Sequence, residues 1–169
     1  ERRRHVWYAS GPASSDVAGL AHGLADLIVQ LLPELERPLR TALELATRAP
    51  DEPERFTDAI VRHLSSWPPD AVLAVDDYHL LETSREAIQL IASIIERTAV
   101  PLLMTTRTRP AWASARQLLY GDITEIDQRA LASVTAKSAV GGSGRLRSAR
   151  VAAVAASTPI SVRRTRAGS

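Results

Sequence analysis

The sequence predicts an α/β fold, a mostly parallel sheet with flanking helices, and three observations carry that reading. The first is a pair of apolar runs, residues 71–75 and 100–106, that lack polar alternation and lead into Asp76-Asp77 and Thr105-Thr106-Arg107. Unalternated runs of this length suit strands buried on both faces, the habit of parallel sheets. The second is apolar spacing of three and four residues in the segments between strand-like runs, which marks amphipathic helices. The third is the order itself: strand, three helices, strand, helix, strand, helix, strand.

Each element has a local cause. His5-Val6-Trp7-Tyr8-Ala9-Ser10 is β-prone and is closed by the breaker Gly11-Pro12. Val17, Leu20, Ala21, Leu24, Leu27, Ile28 and Leu31 line one helical face, with Ser15 or Asp16 as N-cap and Pro33 just beyond the end. A second helix is expected over 35–48 through Leu35, Leu39, Leu43 and Ala46, broken by Pro50 and Pro53. Phe56, Ile60 and Leu64 mark a third, ended by Trp67-Pro68-Pro69. Thr83-Ser84-Arg85-Glu86 fits a capping box with Thr83 as N-cap, opening a helix with Ala87, Ile88, Ile91, Ile94 and Ile95 on one face. After Pro110, a short helix is expected over 111–120 and a short strand from Ile123 to Ile126.

The chain of 169 residues, 45% of them apolar, has room for one domain with a real core. It holds no cysteine, which excludes disulfides and thiolate metal sites. No run of 18 apolar residues occurs and the first ten residues lack the apolar core of an export signal, so the expectation is a cytoplasmic protein with no membrane partner. Charge divides the chain near residue 128. Residues 1–127 hold 13 arginines against 19 carboxylates, while 128–169 hold eight Lys or Arg and no Asp or Glu. The expected division is therefore an α/β domain over 1–127 and a basic, Ala/Ser/Arg-rich, disordered tail over 128–169, with at most an Ala-rich helical piece around 149–156.

The candidate chemistry sits where the apolar runs end, since open parallel sheets gather functional side chains at the carboxyl ends of their strands. Asp76 and Asp77 follow one such strand. Phosphoryl-transfer sites need a carboxylate there to hold Mg²⁺, usually through its water shell, and a second acid beside it can orient or deprotonate an attacking water. Thr105, Thr106 and Arg107 close the other run, a polar pair and an arginine that can meet a terminal phosphate and its charge. Each signal alone has a plainer reading: Asp-Asp as a solvated turn or helix cap, Arg107 as a surface or salt-bridging residue. His79 lacks a second histidine at ligand spacing, which argues against a metal site with Asp76 and Asp77.

Taken together the motifs are more specific. Val-Leu-Ala-Val-Asp-Asp-Tyr-His-Leu-Leu at 72–81, then a helix, then Leu-Leu-Met-Thr-Thr-Arg-Thr-Arg-Pro at 102–110, resembles the MalT-like, LuxR-type transcriptional regulators, which are STAND ATPases of the P-loop class. His5 to Ser10 is similar to the strand that follows the P-loop helix there, so the resemblance spans roughly residues 4–127. It implies a Walker B aspartate at Asp76 supporting Mg²⁺ through water, a water-activating acid at Asp77 and a sensor arginine at Arg107, with ATP and Mg²⁺ as cofactors. It also implies DNA contact only through a helix-turn-helix domain, a pattern these 169 residues do not contain.

The sequence departs from that family at one decisive place. No G-x-x-x-x-G-K-[ST] occurs, and Gly141-Gly142-Ser143-Gly144 lacks the Lys-Ser/Thr ending. The expectation is a partial P-loop fold that lacks its central strand, with residues 5–10, 71–76 and 100–106 pairing as three strands. Residues 123–126 would then lose their neighbour or close up against the third strand. An exposed apolar edge would favour self-association or pairing with a related regulator, and ATP binding by the chain alone would be impaired. A non-catalytic interaction module is the rival reading. Nonspecific nucleic-acid binding by the basic tail is a weaker one, because the tail has no aromatic residue for stacking.

Overall fold

The computed structural model describes residues 4–49, 52–113, 123–126 and 150–154. It is an α/β fold built around three parallel strands: β1 (Arg4–Ala9), β2 (Ala71–Asp76) and β3 (Leu102–Thr106). Four helices, α1 (Val17–Leu31), α2 (Glu36–Thr47), α3 (Glu54–Leu64) and α4 (Arg85–Arg97), fill the connections. Two further strands, β4 (Ile123–Ile126) and β5 (Arg150–Val154), extend the sheet in the order β1-β2-β3-β5-β4. Among the described residues no helix is long and apolar enough to cross a membrane.

The helices begin and end close to where the sequence places them. Asp16 caps α1 by accepting the Gly19 N–H at 3.2 Å. One capping residue shifts: Ser84, not Thr83, is the N-cap of α4 and accepts the Ala87 N–H at 3.2 Å. Thr83 instead ends a 3₁₀ turn over Tyr78–Thr83 and donates its hydroxyl to the Leu80 carbonyl at 3.2 Å. That turn satisfies backbone groups which an earlier helix start would leave open. Of the helix expected over 111–120, residues 114–120 lie outside the described residues.

One face of the parallel strands meets all four helices. Val6 and Tyr8 of β1, Leu73 and Val75 of β2, and Leu102 and Met104 of β3 join a single buried cluster with α1 to α4. Its centre is Leu20, Leu24, Ile60, Leu90, Ile91 and Ile94, each at most 1% exposed. Burial of each such side chain contributes about 1.5–3 kcal/mol. The opposite face carries Trp7, Ala74 and Leu103 in register. Ala74 is shielded between its larger neighbours, but Trp7 is 48% exposed. The expectation of a strand buried on both faces thus holds for Ala74 and fails for half-exposed Val72.

β5 departs most from the sequence expectation. Residues 150–154 form a strand rather than an Ala-rich helix, and it lies antiparallel between β3 and β4. A helix of eight residues is marginal in water even when rich in alanine, whereas a strand between two open edges has its backbone groups paired on both sides. The predicted open edge on β3 is therefore closed by β5, and β4 neither stands alone nor abuts β3. Because β5 opposes both, β4 runs in the same direction as β3. The remaining tail residues, 128–149 and 155–169, lie outside the described residues.

Gly23 of α1 marks a close approach of helix to sheet. A Cβ built there lies 2.5 Å from Cε2 of Tyr8, whose hydroxyl donates to Ser14 Oγ at 2.8 Å. The ring is held at both ends and cannot swing aside freely. Gly23→Ala gains up to about 1 kcal/mol of helix propensity, but overpacking costs about 1–3 kcal/mol. We expect a net loss of about 1 kcal/mol of unfolding free energy, read as a lower urea midpoint; a more stable variant would contradict the packing described.

Candidate functional site

The carboxyl ends of β1, β2 and β3 form one polar rim. Its core is a contact between neighbouring strands: the Thr105 hydroxyl donates to Oδ1 of Asp76. The Asp77 N–H donates to Thr105 Oγ1 at 2.9 Å and to Asp76 Oδ1 at 3.1 Å. Three polar groups from two strands thus satisfy one another, and Asp76 Oδ2 has no partner among the described residues. Asp76 is half-buried, as the last residue of β2.

Asp77 departs from ordinary backbone. Its φ of 51° and ψ of 43° are left-handed, and it is the one positive-φ non-glycine among the described residues. Aspartate tolerates this region better than most residues, and the conformation turns the chain sharply from β2 into the Tyr78–Thr83 turn. The Leu80 N–H donates to the Asp77 carbonyl at 2.9 Å, closing that turn. The Asp77 carboxylate stays half exposed, with His79 Nδ1 at 3.6 Å, too far for a hydrogen bond. His79 Nδ1 and Ser10 Oγ are buried without hydrogen-bond partners among the described residues. The Ser10 N–H donates to the Asp76 carbonyl at 3.2 Å, so both orphan atoms border the same rim.

Tyr78 anchors the turn from below. It is 1% exposed, and its hydroxyl accepts the Trp112 Nε1–H at 2.8 Å, with the two rings edge to face. Burial pushes its phenol above the ordinary tyrosine range; the Trp112 hydrogen bond opposes this and the Glu82 charge adds to it.

The loop after β3 is tied on two sides. Thr108 donates its hydroxyl to Glu82 at 3.2 Å, and Arg109 forms an ion pair with Glu125 of β4. Just before these anchors Arg107 is exposed and has no ion-pair partner among the described residues. Thr106 lies elsewhere: it is 3% exposed, two positions from Met104 on the helix-covered face, and donates its hydroxyl to the Thr108 carbonyl at 2.8 Å. The structure therefore brings Asp76 and Asp77 together with Thr105 and leaves its neighbour Thr106, expected beside it, outside the cluster. Two adjacent threonines give no sequence signal of which one faces Asp76; only strand pairing decides.

The donor set suits a magnesium ion held through water, which needs one or two protein carboxylates and little else. It does not suit a directly ligated metal, since no group of three or more His, Cys, Asp or Glu among the described residues could hold one. A phosphate cradle of backbone N–H groups with a Gly-Lys-Ser/Thr ending is not encoded in the sequence. A cleft between α1 and α2, lined by His22, Asp26, Glu36 and Arg40, includes no residue of the rim.

Two measurements probe this geometry. Left-handed backbone at a non-glycine costs about 1 kcal/mol, and the Asp77 carboxylate has no close partner to lose. Asp77→Gly should therefore raise unfolding stability by about 0.5–1 kcal/mol; a loss of stability would show that the side chain braces the turn. Tyr78→Phe should cost about 1 kcal/mol near pH 7 through the lost Trp112 bond. With its phenol raised by burial, native Tyr78 contributes stability that is full below the unfolded-state value of about 10 and falls as pH rises toward the folded value. The gap between native protein and Tyr78→Phe in urea midpoint should therefore shrink above pH ~10, and a constant gap would contradict that sign.

Comparison of the chain with protein-family models, with curated proteins and with solved structures finds no match in any of the three, so the reading of this rim rests on its own residues.

Proposed function

We propose that this chain is the Walker B and sensor part of the ATP-dependent switch domain of a MalT-like, LuxR-type transcriptional regulator, a STAND ATPase of the P-loop class. The observation that supports it is the Asp76–Thr105 contact at the carboxyl ends of adjacent parallel strands, with Asp77 turned outward beside it. In this reading Asp76 holds Mg²⁺ through water with its free Oδ2. Asp77 orients a water near the terminal phosphate of ATP, and Arg107 reaches that phosphate from the anchored loop. Thr105, rather than Thr106, fixes the position of the Asp76 carboxylate. DNA recognition falls to another part of such a regulator, and the cytoplasm is its compartment.

The chain by itself lacks the loop that cradles phosphates and the lysine that neutralises them, which are the main sources of nucleotide affinity in this class. Labelled ATP with Mg²⁺ should therefore show no saturable equilibrium binding below about 1 mM, and a micromolar Kd would refute the impairment. A second measurement addresses the site assignment. A strand–G-x-x-x-x-G-K-[ST]–helix segment from a MalT-like regulator, fused ahead of Glu1, should confer micromolar Mg-ATP binding that Asp76→Asn weakens at least about tenfold. A folded fusion that binds no nucleotide, or that binds it equally with Asp76→Asn, would overturn the assignment.

A further inference from the structure

β1 is an edge strand. Among the described residues it pairs with β2 alone, and two hydrogen bonds fix the phase of that ladder. The Arg4 N–H donates to the Asp70 carbonyl at 3.0 Å and the Ser10 N–H to the Asp76 carbonyl at 3.2 Å. Residues 4, 6, 8 and 10 therefore direct their backbone groups toward β2, because alternate residues of a strand bond to opposite sides. His5, Trp7 and Ala9 direct theirs outward, where they have no backbone partner among the described residues. The same three residues carry exposed side chains on the open face of the sheet, with Trp7 at the middle.

Edge strands are ordinarily protected by charge, proline, bulges or short length. β1 has none of these at positions 5–9. Its one charged residue, Arg4, sits at the end and is held in a two-pronged pair with Asp70. The other edge differs: β4 is four residues long and carries Glu125 at its third position. Of the two edges, β1 is the one left able to take another strand.

We propose that β1 joins two copies of this chain in a symmetric dimer, antiparallel about a two-fold axis at Trp7. That register is self-complementary. His5 lies opposite Ala9 of the second copy, Trp7 opposite its own counterpart, and Ala9 opposite His5, so the outward backbone groups pair in about six hydrogen bonds. Arg4 falls opposite Ser10, and no like charges face each other. The two indoles meet as a cross-strand pair on the open face, which removes the most exposed aromatic side chain of the described residues from water. A parallel pairing of the same two edges has no exact two-fold axis, because its facing hydrogen-bonded residues are offset by one position. The proposal goes beyond the nucleotide reading and does not depend on it.

The test is the solution mass of the full chain by light scattering between about 1 and 500 µM, the range for a small interface. The native chain should move from monomer toward dimer. Trp7→Arg, which sets two charges against each other on the axis, should stay monomeric with an unchanged circular dichroism spectrum. A native chain that remains monomeric at the top of the range, or a Trp7→Arg variant that still dimerises, would overturn the proposal. A second variant reads the register directly. Trp7→Cys gives an otherwise cysteine-free chain a thiol whose partner lies about 5.5 Å away between Cα atoms, within disulfide reach. It should cross-link in a glutathione buffer, while Leu45→Cys on the exposed side of α2 should not. Equal cross-linking of the two would count against the register, and this pair decides the matter where Trp7→Arg fails to fold.

Discussion

The register of β2 against β3 decides where every polar group of the rim ends up. Leu73 faces Leu102 and Val75 faces Met104, and all four side chains are at most 2% exposed beneath the helices. Continuing that alternation by one step sets Asp76 beside Thr105 on the opposite face. A slip of β2 by one residue would turn Leu73 and Val75 toward water, at about 1.5–3 kcal/mol each. It would also drive Asp76 into the apolar layer, where an unpaired carboxylate costs several kcal/mol more. The site is thus specified by the core behind it.

The rim itself divides into a satisfied part and an unspent part. Asp76, Thr105 and the Asp77 N–H are committed to one another and hold one geometry. The Asp77 carboxylate, Arg107, His79 Nδ1 and Ser10 Oγ are not so committed. The left-handed turn at Asp77 keeps these two parts adjacent: it ends the strand without moving the carboxylate away from it. Tyr78, locked to Trp112, carries that turn on the buried cluster.

What the sequence made legible follows the same physics. The strands β1, β2 and β3 and all four helices could be read because a buried core demands continuous or periodic apolar residues, and Asp76-Asp77 could be read because polar residues end such a strand abruptly. The cap of α4 slipped by one because Thr83 and Ser84 are both competent caps and only the turn before them decides. Which of Thr105 and Thr106 meets Asp76 was not legible, because the face of a residue in an unalternated run depends on its partner strand. β5 was illegible for a stronger reason. Arg-Val-Ala-Ala-Val carries no strand period, and its conformation comes from two edges supplied by residues far away in sequence.

The place of β5 has a consequence for how the chain is made. Translation delivers β1, β2 and β3 with their intervening helices first, and these can pair with one another as they emerge, since the β1–β2 and β2–β3 ladders involve nothing later. β4 follows, but its only sheet partner among the described residues is β5, whose first residue lies 24 positions beyond the end of β4. During that interval the side of β3 that β5 will pair lacks its partner among the described residues. The nascent chain therefore passes through a stage in which the half that bears the rim is built while its flank stands open. Whatever other strand reaches that flank first competes with the chain's own completion.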